Sequence, residues 1–136
     1  MSARRRLQTT RRGAATIETA LCAPVLLAVL SGVLDWGWFL SRESELVEAV
    51  RDAARVGAAA PAGSDPMVLA EARLSESLSN LGFSATLAVI TIERTTDADV
   101  GSDVLSVAVS LPYSPLFGLV LAPDALGARV LMPVVT

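Results

Sequence analysis

The chain has 136 residues, of which 52% are apolar, and its formal net charge is −3. This length allows at most one modest domain besides an anchor segment, and a mean hydropathy of +0.54 favours a membrane-attached protein. The chain has one cysteine and no histidine, which excludes an internal disulfide and metal sites rich in Cys or His. The sequence contains no basic patch that would predict nucleic-acid binding.

The N-terminus combines a basic segment, which we expect to be a flexible leader, with a long apolar run. Residues 1–13 contain five arginines and no acidic residue, and residues 14–34 contain one charged residue among about 21. Because about 20 apolar residues in a helix span a bilayer core of roughly 30 Å, residues 14–34 predict a transmembrane helix. Trp36 and Trp38 follow directly, where aromatic anchors of the membrane interface are expected. The arginines should stay in the cytoplasm, so the C-terminal part should face the other side.

Glu18 is the one charged residue of the apolar run. A carboxylate costs about 2.5–3.5 kcal/mol at the centre of a membrane helix and less near its end, so Glu18 should be shallow, paired or protonated. It is either a tolerated charge at the membrane rim or the fifth residue of a product cut after Gly13. In the second case the new helix N-terminus favours the anion, and the freed amino group of Ala14, in the same or a neighbouring copy, lies close to it.

The helical pattern continues to about residue 60. Pro24 should bend the helix because it removes a backbone hydrogen bond. The segment 35–60 is amphipathic, and its apolar residues recur at helical spacing. The predicted buried stripe consists of Phe39, Leu46, Val50, Ala53 and Gly57, widened by Leu40, Val47 and Ala54.

Residues 61–136 predict a small domain outside the cytoplasm. Asp65 as N-cap, Pro66 at the first helical position and Gly82 as the stop predict a second helix over about 67–81. The residues expected to pack inward from it are Val68, Leu69, Ala72, Leu78 and Leu81. Three β-segments are predicted over about 85–95, 104–113 and 128–135, the last ending near Pro133 as an edge strand.

Two loops of this domain carry further expectations. Asp97, Asp99 and Asp103 between the first two strands could suggest calcium, but their spacing lacks the EF-hand pattern, so a solvated turn is favoured. The apolar patch 116–121, bounded by Pro115 and Pro123, predicts a short helix or a packed loop. The predicted fold is α+β: a long N-terminal helix packed on a small domain with one further helix and a short antiparallel sheet of about three strands.

The order of these motifs resembles the TadE-like family of minor pilins and pseudopilins of the Tad, or Flp, pilus system, a type IVb pilus. The likeness is strongest over 11–39 and 49–58. It implies that a prepilin peptidase cuts between Gly13 and Ala14, and that Glu18 is the acid that helps cleavage or subunit docking. Thr19 departs from the Glu-Tyr pair typical of major Flp pilins, and those subunits lack a domain like this one, which favours the minor class.

We therefore expect a structural pilus protein in the inner membrane, with a cytoplasmic N-terminus and its domain in the periplasm, outside the cell or in the pilus. Its expected partners are the prepilin peptidase, other pilins or pseudopilins, and lipid. We expect no enzymatic activity, catalytic residue, cofactor or metal. The alternatives are a pseudopilin of type II secretion and an uncleaved single-pass anchor for a periplasmic binding or sensor domain.

Overall fold

The computed structural model describes residues 3–97 and 102–134, with side chains described outside residues 3–14, 85 and 97. Two helices precede three strands, with a short 3-10 turn between the two groups. The elements are α1 (Ala3–Ala58), α2 (Pro66–Asn80), the turn Ala85–Leu87, β1 (Val89–Asp97), β2 (Ser102–Pro112) and β3 (Ala125–Pro133). The strands form one antiparallel sheet in the order β1-β2-β3, which confirms the expected α+β arrangement.

Helix α1 is the longest element of the fold, with 56 residues and a length of roughly 84 Å at 1.5 Å per residue. It begins at Ala3, so the segment expected to be a flexible leader is helical here, consistent with its good helix formers Arg, Leu, Gln and Ala. Pro24 lies inside α1, which is assigned as one helix through that position. A bend at Pro24 stays a prediction.

The C-terminal half of α1 buries the predicted stripe against α2 and the sheet. Its buried residues are Phe39, Leu46, Ala49, Val50, Ala53, Ala54, Gly57 and Ala58. Of the three residues expected to widen the stripe, Ala54 is buried, Val47 is half-buried and Leu40 is 54% exposed, whereas Ala49 on the opposite side of the stripe is buried. The difference arises because α2 covers that opposite side of α1.

Helix α2 has the predicted caps at both ends. The Asp65 carboxylate accepts a hydrogen bond from the Met67 backbone N–H at 2.9 Å. At the other end Gly82 adopts a φ of +74°, and the Phe83 N–H donates to the Leu78 carbonyl at 2.9 Å, a Schellman arrangement. The face predicted to pack inward was partly wrong, since Val68 and Ala72 are exposed. The buried residues are Ala70, Leu74 and Leu78.

The sheet packs on the same side of α1 as α2 does. Strand β2 lies at its centre, and the predicted alternating residues Leu105, Val107, Val109 and Leu111 are all buried. Strand β3 is an edge strand that ends at Pro133, as expected for a residue without a backbone N–H. The long loop between β2 and β3 therefore leaves the sheet at the end of the central strand.

Gly57 lies where α1, α2 and the sheet meet. A Cβ at this position would lie 2.6 Å from Leu105 Cδ2 and 2.8 Å from both Ala70 Cβ and the Pro66 carbonyl oxygen. Overpacking costs about 1–3 kcal/mol, which exceeds the helix-propensity gain of about 0.5–1 kcal/mol. We therefore expect Gly57→Ala to lower the free energy of unfolding by about 1–2 kcal/mol in urea titrations of the detergent-solubilised chain.

Gly37 provides the matched control, because it is also an interior glycine of α1. Among the described residues, no atom comes within 4 Å of a Cβ built on it. Gly37→Ala should therefore raise the free energy of unfolding by about 0.5–1 kcal/mol. A loss of stability at Gly37 as large as that at Gly57 would contradict the packing argument.

Candidate functional site

The first half of α1 presents apolar side chains to its surroundings. Its large apolar residues between 17 and 34 are 46–71% exposed, namely Ile17, Leu21, Val25, Leu26, Leu27, Val29, Leu30, Val33 and Leu34. By length and composition, Ala15–Ala58 could cross a membrane. An apolar helix that is not covered by its own domain must be covered by lipid or by other helices. The structure is therefore compatible with a single-pass membrane anchor.

The residues predicted to take part in processing all lie within helix α1. Gly13 and Ala14 lie within helix α1, and their side-chain contacts are not among those that the structure describes. Glu18 is exposed, and its neighbour Thr19 donates its hydroxyl proton to the Ala15 carbonyl at 2.9 Å. At 1.5 Å per residue, Glu18 lies roughly 7.5 Å along the helix from Gly13. Their roles in cleavage and assembly stay predictions.

Asp35, at the end of the apolar segment, is a fully buried carboxylate. One carboxylate oxygen accepts the Phe117 backbone N–H at 2.9 Å, and the other accepts the Gly118 backbone N–H at 3.0 Å. The Asp35 backbone carbonyl also accepts the Tyr113 hydroxyl at 3.2 Å. Three hydrogen bonds from the segment after β2 thus converge on one residue of α1. The carboxylate thus accepts hydrogen bonds from two backbone N–H groups that have no partner in a helix or strand.

We call residues 114–123, between β2 and β3, the junction loop. Its base is closed by a hydrogen bond from the Tyr113 N–H to the Asp124 carbonyl at 2.8 Å. Its far part reaches α1, where a Cβ on Gly32 would lie 3.0 Å from Val120 Cγ2. The patch predicted as a short helix or a packed loop is thus an irregular loop packed on the anchor helix.

An aromatic cluster supports the loop beside Asp35. The Tyr113 and Phe39 rings meet edge-on with centroids 5.2 Å apart, and the Phe39 and Trp36 rings do so at 5.9 Å. Burial, and secondarily the negative charge of Asp35, raises the pKa of Tyr113. The phenol therefore remains protonated over a wide pH range and keeps donating to the backbone of α1.

Arg42 connects the same region of α1 to the end of α2. Its guanidinium lies over the rings of Trp38 and Phe83, 5.1 and 4.5 Å from their centroids. It also donates to the Leu81 carbonyl at 3.1 Å and to the Glu45 carboxylate at 2.8 Å. Cation–π contact and hydrogen bonding thus fix the α2 terminus against α1. The side chain of Trp38 therefore contacts Arg42 and still has 41% of its surface exposed.

The two predicted interface tryptophans lie just beyond the apolar segment, and Trp36 is 44% exposed. Their position fits anchors at a membrane surface, a role that stays a prediction. Sequence reasoning ended the apolar run at residue 34 but missed the next residue, Asp35, as a structural centre. The available signal was its position four residues before Phe39, on the face that the buried stripe occupies.

Asp103, one of the three acids of the predicted turn after β1, is hydrogen-bonded to residues of β1. Asp103 accepts hydrogen bonds from the Thr96 hydroxyl at 2.8 Å and from Arg94 Nε at 2.9 Å, and these two partners lower the pKa of its carboxyl. The Asp97 side chain and Asp99 lie outside the described residues. Within the described part of the chain, no group of three metal-ligating side chains occurs.

Together these features define an α+β protein carried on a single long apolar helix. A family model described as TadE-like protein matches residues 13–55, from Gly13 through most of the buried stripe. The match covers 43 of the 136 residues and confirms, over that segment, the resemblance drawn from the sequence. It ends before α2 and the sheet. No curated protein and no solved structure matches the chain.

Proposed function

We propose that this protein is a minor pilin or pseudopilin of the Tad pilus, with a structural and non-enzymatic role in pilus assembly, adhesion or secretion. The main support for this proposal is the TadE-like match, which begins at Gly13 and covers the whole exposed apolar part of α1. Glu18 stands five residues past that glycine, where a membrane helix normally excludes a charge.

In this proposal residues 14–34 anchor the chain in the inner membrane. The five arginines stay in the cytoplasm, and the domain lies in the periplasm or on the pilus. The prepilin peptidase hydrolyses the peptide bond between Gly13 and Ala14, which frees the amino group of Ala14. Removing five arginines and no acid changes the formal net charge from −3 to −3 − 5 = −8. Glu18 then pairs with the amino terminus of a neighbouring subunit as apolar helices pack together.

Two alternatives make different predictions. A type II secretion-like pseudopilin shares the same signal, and neighbouring genes distinguish it from a Tad component. An uncleaved anchor for a periplasmic binding domain requires a ligand site. The groove between α1 and α2 measures about 540 Å³, within the roughly 300–1,000 Å³ of common ligand pockets, so cavity size does not separate the two roles. The TadE-like match is what favours the structural role.

The N-terminus of the mature protein tests the proposal. In cells with an active prepilin peptidase, the intact mass of membrane-extracted protein should correspond to a chain that begins at Ala14. Gly13→Ala should retain part of this processing. Gly13→Leu should reduce it by about tenfold or more, because a bulky side chain does not fit a site shaped for glycine.

The control is Gly37→Ala, which should be processed like the wild type because it lies 24 residues beyond the cut. Normal maturation of Gly13→Leu would rule out this cleavage site. A wild-type product that begins at residue 1 or 2 would favour the uncleaved anchor.

A further inference from the structure

We propose that the junction loop, residues 114–123, inserts into the non-cytoplasmic leaflet of the membrane beside α1. The domain would then contact lipid at a second place besides its anchor helix. The inference rests on the membrane anchoring of residues 14–34 in the proposed function and adds a distinct lipid-binding element to it.

The composition of the loop suits lipid. The sequence contains no charged residue from 104 to 123. Four large apolar side chains of the loop are more than half exposed, and Val120, which packs on Gly32, is 38% exposed; the four are Leu116 (57%), Phe117 (55%), Leu119 (68%) and Leu121 (95%). Single exposed apolar residues are ordinary on a protein surface, whereas a contiguous group marks a contact with a membrane or a partner.

The position of the loop identifies lipid as the occupant. Val120 packs on Gly32, which belongs to the predicted membrane span, and the Phe117 N–H binds Asp35. Gly32 lies roughly 4.5 Å deeper along the helix than Asp35. Because α1 fixes this depth, the loop meets the bilayer whenever residues 14–34 span it. The exposed surface of the loop also continues into the exposed Val29 and Val33 of α1, which face the same medium.

Among the described residues, the protein satisfies the backbone N–H groups of Phe117 and Gly118 in this loop, which suits the hydrated interface rather than the hydrocarbon core. Irregular backbone is costly in a membrane unless the protein satisfies its polar groups. The buried Asp35 carboxylate accepts the Phe117 and Gly118 N–H groups, and the pair between Tyr113 and Asp124 closes the base of the loop. Gly118, with a φ of +65°, permits the left-handed turn between these contacts. Insertion by about one helical turn matches the roughly 5–10 Å depth typical of interfacial segments.

Depth-dependent quenching tests the insertion. The native Cys22 is replaced by serine, and the full chain carries one NBD label through Leu121→Cys. The matched control is Val68→Cys, another exposed apolar position, in the first turn of α2, where Pro66 and Ala70 contact Gly57, roughly 38 Å along α1 beyond Gly32. Each variant is reconstituted in phosphatidylethanolamine/phosphatidylglycerol vesicles with or without brominated acyl chains. We expect the label at position 121 to lose most of its fluorescence in brominated lipid and the label at position 68 to lose none.

Quenching of the tryptophans and quenching of the label distinguish a failure of loop insertion from a failure of membrane anchoring. The native fluorescence of Trp36 and Trp38 reports whether α1 is anchored. If these tryptophans are quenched by brominated lipid while the label at 121 behaves like that at 68, loop insertion is wrong and the anchor stands. If neither tryptophans nor label are quenched, the membrane anchoring of the proposed function fails as well.

A third outcome also overturns the proposal. A label at 121 that is shielded from aqueous iodide but unaffected by brominated lipid would show that protein, such as a second copy of the chain, covers the loop. Leu119→Cys, at a second exposed position of the loop, repeats the measurement independently of any local effect of the first label.

Discussion

Replacing Asp35 with alanine should lower the free energy of unfolding by about 3–5 kcal/mol. The substitution removes the acceptor of two backbone N–H groups, those of Phe117 and Gly118. Each buried donor left without a partner costs about 1–3 kcal/mol, and hydrogen bonds to charged groups lie at the upper end. The change should therefore detach the junction loop from α1 as well as destabilise the domain.

Two further variants make this prediction specific. Asp35→Asn keeps one carbonyl oxygen but turns an amide N–H₂ toward the second donor, so we expect an intermediate loss of about 1–3 kcal/mol. Glu71→Ala removes an exposed carboxylate from α2 and should stay within about 0.5 kcal/mol of the wild type. Urea unfolding of the detergent-solubilised chain measures all three, and limited proteolysis reports the loop. An Asp35→Ala variant as stable as Glu71→Ala would show that the carboxylate does not hold the loop.

Replacing Glu18 with alanine should leave cleavage intact or slowed while it strongly impairs assembly. If Glu18 pairs with the amino terminus of a neighbouring subunit in lipid, the alanine variant leaves that amino group without its counter-charge. Truncating one partner of a buried charge pair costs about 2–5 kcal/mol, which corresponds to at least about a tenfold loss of incorporation. The measurement compares the sheared pilus fraction with the membrane fraction from the same cells.

Conservative variants separate charge from shape. Glu18→Gln should assemble as poorly as Glu18→Ala if the negative charge is what matters, and Glu18→Asp should recover part of the assembly. The intact mass of the membrane fraction shows whether processing has also changed. Wild-type piliation with Glu18→Ala would remove this residue from the assembly mechanism.

Local sequence signals predicted much of the fold. The caps at Asp65 and Gly82 fixed the ends of α2 because capping depends on a few adjacent residues. The strict alternation from Leu105 to Leu111 fixed the buried face of β2 in the same way. The α+β arrangement follows from these elements and the long apolar helix, and the family match confirms the resemblance over residues 13–55.

Long-range contacts set the parts that the sequence did not predict. The buried face of α2 consists of Ala70, Leu74 and Leu78 because Ala70 packs against Gly57 of α1, where a Cβ on the glycine would lie 2.8 Å from the Ala70 Cβ. Periodicity alone could not identify a contact between residues so far apart in the sequence. The role of Asp35 depends on donors at Phe117 and Gly118, more than 80 residues later, and no spacing rule connects such positions.

The roles proposed for the N-terminal residues would each require a second protein. The proposed cleavage between Gly13 and Ala14 would depend on the peptidase as much as on this chain, and the proposed pairing of Glu18 would need a neighbouring subunit. The structure of a single chain shows the helix on which cleavage and pairing would occur, but not the proteins that would take part in them. These roles were therefore inferred from the motif and the family resemblance, and they stay predictions.

The continuity of α1 couples orientation in the bilayer to the position of the domain. About 24 residues of the helix follow Leu34, so the end of the domain lies roughly 36 Å above the membrane segment. Membrane helices tilt by about 20° on average, and a rigid arm of that length swings its end through roughly 12 Å over such an angle. If residues 14–34 span a bilayer as proposed, a change of lipid thickness or of neighbours around them would become a lateral displacement of the domain far outside the bilayer.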